Sequence, residues 1–67
     1  MKATDEQIMA FIGGFIRKNG YSPSVREVGE AIGINSAGSV RYRLAQLRDK
    51  GLITYDDRKP RTIRVVG

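Results

Sequence analysis

The chain has 67 residues, a formal net charge of +5, and neither cysteine nor histidine. Their absence excludes thiol nucleophiles, disulfides, imidazole bases and the usual zinc ligands, so we expect no metal, no cofactor and no enzymatic activity. A chain this short buries only about 60% of its unfolded surface, which leaves little room for a catalytic cleft. No apolar run approaches the roughly 18 residues of a membrane span, and the N-terminus lacks a secretion signal. We therefore expect a cytoplasmic protein without a membrane partner.

The net positive charge lies entirely in the second half of the chain. Residues 1–34 contain four basic and four acidic side chains, whereas residues 35–67 contain eight basic and three acidic ones. A neutral half can serve as a scaffold while a basic half meets a polyanion, so this asymmetry favours a nucleic acid as the partner.

The first predicted element is an amphipathic helix over residues 5–18. Thr4 and Gln7 have the spacing of a capping box, and Gly20 provides a stop signal. An apolar stripe at helical spacing is formed by Ile8, Phe11, Ile12, Phe15 and Ile16. The pair Gly13-Gly14 lies on the back of this helix, where each glycine costs about 1 kcal/mol relative to alanine. Only the approach of another chain or backbone would explain the pair.

Two further helices follow, separated by a short turn. Ser24 and Glu27 predict a capping box for a helix over 25–32, which Gly33 ends. The third helix is predicted over 36–50, with Asn35 or Ser36 as its cap. Its inward stripe is Val40, Leu44 and Leu47.

Beyond Gly51 the apolar period changes from about 3.6 to 2, which predicts a hairpin with strands over 52–56 and 62–66. Three helices followed by a two-stranded antiparallel wing form a winged helix-turn-helix. We therefore expect one mainly α domain over residues 1–67 with a small β-hairpin.

The third helix presents small side chains at its start and longer polar ones a turn later. Small residues would let its N-terminus enter a DNA major groove, where free N–H groups favour phosphate. Arginine can donate two hydrogen bonds to a guanine edge. The residues predicted to contact bases are Ser36, Gly38, Ser39, Arg41 and Tyr42. The alternative is a capped surface helix with solvated arginines.

A second set of cations is predicted to contact phosphates from the wing and its surroundings. It comprises Arg26, Arg48, Arg58, Lys59 and Arg61. The alternatives are an i,i+4 pair of Arg26 with Glu30, and a solubilising hairpin tip that protects an edge strand. Asp56 and Asp57 at the same tip would repel DNA, so we expect them to point away or to balance the arginines.

From Tyr21 the chain contains the string YSPSVREVGEAIGINSAGSVRYRLAQLRDKGLITYDDRKPRTIRV. This string closely resembles the N-terminal DNA-binding domain of the LexA repressor family, in the branch of Gram-positive bacteria and their phages. The resemblance implies a winged helix-turn-helix that represses transcription in the bacterial SOS response. It also implies that the third helix contacts an inverted-repeat operator through Ser36, Gly38, Ser39, Arg41 and Tyr42, with wing contacts from Lys59 and Arg61.

The chain departs from the family pattern in two respects. Gly38 stands where the family usually has a polar side chain, and Arg41-Tyr42 is not its usual pairing. The family also continues into a self-cleaving, dimerising domain that this sequence lacks. We therefore expect an excised domain or a stand-alone regulator, located at the nucleoid and bound to DNA as a monomer or weak dimer.

Two other functions are compatible with the residues. A winged-helix module could use the exposed face of the third helix and Gly13-Gly14 to bind a protein. A nonspecific basic nucleic-acid-binding protein would bind all duplexes equally.

Overall fold

The computed structural model describes residues 3–66. It contains helices α1 (Asp5–Asn19), α2 (Val25–Ile32) and α3 (Ala37–Asp49), followed by strands β1 (Ile53–Thr54) and β2 (Arg64–Val65). The strands pair antiparallel, with Ile53 opposite Val65, which confirms the predicted winged helix-turn-helix class. Within this part of the chain no helix is both long and apolar enough to span a bilayer. The predicted domain bounds include Met1, Lys2 and Gly67, which lie outside the described residues.

Side-chain caps fix the ends of the first two helices. In the capping box of α1, Gln7 accepts the backbone N–H of Thr4 at 2.9 Å and the Thr4 hydroxyl accepts that of Gln7 at 3.1 Å. Ser24 and Glu27 repeat the arrangement at 2.8 and 3.1 Å before α2. Gly33 ends α2 at φ 77°, a left-handed conformation that favours glycine. The predicted caps of both helices are therefore confirmed.

The core lies between the three helices and the wing. Its buried side chains are Ile8, Ile12, Val28, Ile32, Val40, Leu44, Leu47, Ile53 and Ile63. The predicted stripe of α3 is confirmed within this set. The helix itself is one residue shorter at each end than predicted, because Ser36 and Lys50 are its caps.

Helices α2 and α3 approach each other closely at Gly29. A Cβ atom added there would lie 2.8 Å from the Ile34 carbonyl oxygen and 2.9 Å from Cγ2 of Val40. The Gly29 carbonyl also accepts the N–H of Ile34 at 2.9 Å, which fixes the turn between the two helices. Glycine at this position therefore sets how α3 projects from the scaffold.

The strands are shorter than predicted, with two residues each in place of 52–56 and 62–66. At the start of the wing, Leu52 donates its N–H to the Leu47 carbonyl at 3.0 Å and so caps α3. At the other end, Thr62 Oγ1 accepts the N–H of Asp56 at 2.8 Å, and Ile63 donates its N–H to Ser22 Oγ at 3.0 Å. The side-chain oxygens of Thr62 and Ser22 thus accept the N–H groups that a longer strand ladder would have paired.

Asp5 joins the start of α1 to α3. Its carboxylate forms ion pairs with Lys50 and, at 3.3 Å, with Arg43. The Arg43 guanidinium also donates to the carbonyl of Ala3 at 2.6 Å. The hydrogen bonds from Lys50 and Arg43 lower the pKa of Asp5 below its ordinary value.

We expect this contact to make the fold acid-sensitive. The pKa of Asp5 is lower in the folded than in the unfolded chain. Its contribution to the stability of the fold is therefore present above pH about 4 and is lost as the pH falls through the lowered pKa. Asp5→Asn should therefore reduce the loss of melting temperature between pH 5 and acid conditions of about pH 2.5. Glu6→Gln, which removes an exposed carboxylate from the same turn, is the control. An Asp5→Asn profile that matches the wild type would contradict the role of this ion pair.

Candidate nucleic-acid interface

The first turn of α3 is exposed and carries little side chain. Ser36 is the N-cap, and its hydroxyl accepts the N–H of Ser39 at 3.4 Å. A Cβ atom added to Gly38 would meet only Ser36 Oγ, at 3.7 Å, so the space beside this turn is open. The first turn also contains no acidic side chain. Its unpaired N–H groups and the positive end of the helix dipole therefore face outward without a competing carboxylate.

Arg41 and Tyr42 continue this surface one turn further along α3. Both are exposed, and 66% of Tyr42 is accessible to solvent. Among residues 3–66, neither side chain takes part in a hydrogen bond, ion pair or ring contact. A large aromatic and a guanidinium are thus held on a rigid helix with their polar ends free. All five predicted base-contacting residues lie on the exposed face of segment 36–42, whose Val40 is buried in the core.

A cleft of about 350 Å³ lies beside this segment. It separates the start of α2 and the side of α3 from the wing loop, which comprises residues 55–63. Five basic side chains line it: Arg26, Arg41, Arg58, Lys59 and Arg61. Two acidic side chains, Asp56 and Asp57, also line it. Four of the five predicted phosphate-contacting residues therefore line a concave surface that α3 also borders.

Two of the cleft's cations keep their charges in solvent. Arg26 lies 3.8 Å from Glu30, and the two side chains are 88% and 68% exposed. Arg58 lies 3.7 Å from Asp56 and is 92% exposed. Pairs this exposed contribute little to stability and exchange partners at low cost. Both arginines are therefore available to a phosphate.

Arg48 is half-buried and packs within the protein. Its Cζ atom lies 4.4 Å from the ring centroid of Tyr55, and its Nη1 atom lies 3.4 Å from Oδ2 of Asp57. Burial raises the pKa of the Tyr55 hydroxyl, while the nearby Arg48 charge opposes the shift. Arg48 thus supports the wing from α3, and its predicted phosphate contact stays a prediction.

Arg61 also has partners inside the protein. Its Nη1 atom donates to Glu27 Oε1 at 2.7 Å and to the Ser22 carbonyl at 3.1 Å. Its guanidinium lies 5.1 Å from the centroid of Tyr21. The acidic residues of the tip balance arginines, as the sequence suggested, since Asp56 pairs with Arg58 and Asp57 with Arg48.

Sequence reasoning missed three structural contributors. Arg43 and Lys50 were assigned no role, although both pair with Asp5 about 40 residues away. Ser22 is buried and accepts a bond from the wing, which only a tertiary contact could explain. These contacts join residues about 40 positions apart, so no local sequence pattern signals them.

Comparisons with known proteins agree with this geometry. The family model for the LexA DNA binding domain matches residues 2–62. The LexA repressor of Shouchella clausii (strain KSM-K16) is 49% identical over 61 residues, which cover 91% of this chain and 29% of that protein. The LexA repressor of Exiguobacterium sp. (strain ATCC BAA-1283 / AT1b) is 46% identical over 66 residues, 98% of this chain and 32% of that protein.

A third relative is the LexA repressor of Bacillus subtilis (strain 168), which is 48% identical over 59 residues, 88% of this chain and 29% of that protein. The chain spans less than a third of the length of each of these relatives. Because a family model covers nearly all of the described residues and these identities exceed 45%, the relationship is one of common family and not of fold alone. The chain belongs to the LexA DNA-binding domain family.

Proposed function

We propose that this chain binds double-stranded DNA in a sequence-specific manner and represses transcription by occupying an operator. The observation that carries the proposal is the exposed face at the start of α3, where the side chains of Arg41 and Tyr42 have no polar partner within residues 3–66, bordered by a cationic cleft. The LexA DNA-binding domain family and the repressors named above support the same conclusion. The proposed role is binding, with no catalytic step.

In the proposed complex, the start of α3 enters the major groove. An α-helix with its side chains is about 10–12 Å across, which matches a major groove about 12 Å wide. Because Gly38 has no side chain, the helix backbone can approach the DNA closely there. The hydroxyls of Ser36 and Ser39 face nearby base edges. Arg41 donates to a guanine edge, and Tyr42 contacts the neighbouring base through its ring or hydroxyl.

The cleft beside α3 accommodates the phosphate backbone. Arg26 at the start of α2 and Arg58 and Lys59 on the wing loop face this cleft from opposite sides. Phosphate contacts of this kind fix the position of the recognition helix without carrying sequence information themselves. Lys59 at the tip extends the contact toward the adjacent minor groove.

One chain presents one recognition helix and so occupies one half-site. An inverted-repeat operator then takes two copies, and linking two modules raises affinity far above that of one module. We propose that the isolated chain binds each half-site weakly, as a monomer or as a weak dimer on the DNA.

Selection from a random duplex pool tests the proposal. The purified chain should enrich a short half-site, alone or as an inverted repeat. Salt-sensitive binding without enrichment would contradict sequence specificity and favour a nonspecific basic protein. Absence of binding would contradict the proposal altogether and favour a protein partner.

Lys59→Ala should weaken binding to all duplexes equally. Each phosphate contact contributes about 0.9 to the slope of log affinity against log salt, so losing one lowers the slope by about that amount. Titrations of the enriched and a scrambled duplex at several salt concentrations measure it. Lys18→Ala, which removes an exposed lysine from the last turn of α1, should leave the slope unchanged. A slope that Lys59→Ala does not change would rule out this contact.

A further inference from the structure

Arg61 holds the wing loop against the start of α2. Its Nη1 atom bonds both the Glu27 carboxylate and the Ser22 carbonyl, at 2.7 and 3.1 Å, and its guanidinium lies over the Tyr21 ring. The same Oε1 atom of Glu27 accepts the N–H of Ser24 at 2.8 Å in the capping box. One carboxylate thus caps α2 and anchors the wing.

The backbone of the wing loop is built around this anchor. Arg61 has φ 56°, a left-handed conformation that residues other than glycine adopt only when their surroundings hold them there. Thr62 closes the loop through Asp56, and Ile63 donates its N–H to the buried Ser22 hydroxyl. After Arg61 the backbone is therefore fixed to Ser22, and on both sides of Arg61 it is bonded to the loop itself through Thr62.

The charges around Arg61 argue against a direct phosphate contact. A phosphate at Nη1 would have to displace Glu27 and the Ser22 carbonyl. A phosphate at Nε or Nη2, the other donors of the guanidinium, would still lie beside the Glu27 carboxylate, which repels it. Lys59 is exposed on the same loop, and within residues 3–66 it forms no ion pair.

We propose that Arg61 is a positioning residue, which holds the wing so that Lys59 contacts phosphate, and that Glu27 is its partner in this role. This inference rests on the proposed DNA binding and assigns Lys59 and Arg61, two of the wing loop's cations, different tasks. Removal of Arg61 then weakens binding because Lys59 is no longer held in place.

A double-mutant cycle separates positioning from direct contact. Lys59→Ala should lower the salt slope by about 0.9 in the wild-type chain and by almost nothing in the Arg61→Ala background. Two direct contacts would instead give independent losses, with a combined decrease of about 1.8. Additive losses, or no effect of Lys59→Ala in the wild-type chain, would overturn the proposal. Arg61→Lys should behave like Arg61→Ala, since an ammonium retains the charge but lacks the guanidinium's planar reach; a wild-type slope in this variant would also overturn it.

The two explanations predict opposite changes in DNA affinity for Glu27→Gln. Removing a carboxylate from beside a direct phosphate contact would strengthen binding, whereas removing the anchor of a positioned wing should weaken it by about two- to fivefold. Glu30→Gln is the matched control, because it removes the same charge from the same helix, where the carboxylate is exposed and, within residues 3–66, pairs only with Arg26. Glu30→Gln should not weaken binding. Stronger binding by Glu27→Gln would refute the anchor.

Amide exchange tests the anchor without DNA. The N–H of Ile63 should exchange faster in Arg61→Ala and Glu27→Gln than in the wild type or Glu30→Gln, at a temperature where circular dichroism shows each variant folded. If the wild-type chain binds no duplex, the proposed function fails while this measurement still decides whether Arg61 fixes the wing. Unchanged exchange in both anchor variants would overturn the positioning role.

Discussion

Gly29→Ala is expected to lower the free energy of unfolding by up to roughly 2 kcal/mol, because an added methyl group in a tightly packed site costs about 1–3 kcal/mol and alanine returns about 1 kcal/mol in a helix interior. The new Cβ atom would lie within 3.0 Å of the Ile34 carbonyl oxygen and of Val40 Cγ2. The first of these is backbone in the turn before α3, so the two helices must separate. Urea denaturation measures the change.

Gly13→Ala and Gly14→Ala are the matched controls for this experiment. Each makes the same substitution within a helix, but a Cβ atom at either position has no neighbour within 4 Å beyond the helix's own backbone. Both variants should therefore gain up to about 1 kcal/mol. A Gly29→Ala variant as stable as these controls would show that α2 and α3 do not approach as closely as described. The structure gives no explanation of why glycine occupies positions 13 and 14.

Arg41→Ala should cost about 1–3 kcal/mol of binding free energy on the enriched site. On scrambled DNA only the nonspecific attraction of one positive charge should be lost. The Arg41 guanidinium is exposed on α3 without a polar partner in residues 3–66, so in the proposed complex truncation would remove a DNA contact and no internal hydrogen bond or ion pair. Tyr42→Ala should show the same selectivity, because 66% of the residue is exposed. Competition titrations with both duplexes provide the two free energies.

Arg17→Ala is the charge-matched control for Arg41. It removes one exposed cation from the last turn of α1, away from α3 and the cleft. We expect a small, equal effect of Arg17→Ala on both duplexes. Equal losses on the two duplexes for Arg41→Ala would show that its role is electrostatic, and would remove the assignment of a base contact.

Local sequence signals predicted the helices well. The capping boxes at Thr4 and Ser24 and the glycine stops at positions 20 and 33 act within one turn of chain, so a short window contains the whole interaction. The apolar stripe of α3 was equally local and identified Val40, Leu44 and Leu47 as buried. The exposed face of α3, with its base-contact candidates, followed from this stripe.

Contacts between distant residues could not be predicted in the same way. Arg61 and Glu27 are 34 positions apart, and Arg48 and Tyr55 meet only because the chain turns back at Gly51. From composition these arginines were indistinguishable from Arg58, whose charge is in solvent. The strands were predicted too long for a related reason, since Ser22 and Thr62 take hydrogen bonds that alternation alone assigns to the ladder.

The affinity ratio between the enriched duplex and a scrambled duplex, at two salt concentrations, tests sequence-specific recognition most directly. We expect a preference of at least about a hundredfold for the enriched duplex. Regulators that occupy two half-sites at once reach roughly a thousandfold or more. Raising the salt should weaken both complexes in proportion to their phosphate contacts, while the preference for the enriched duplex persists. Equal affinities at both salt concentrations would contradict recognition of bases by α3.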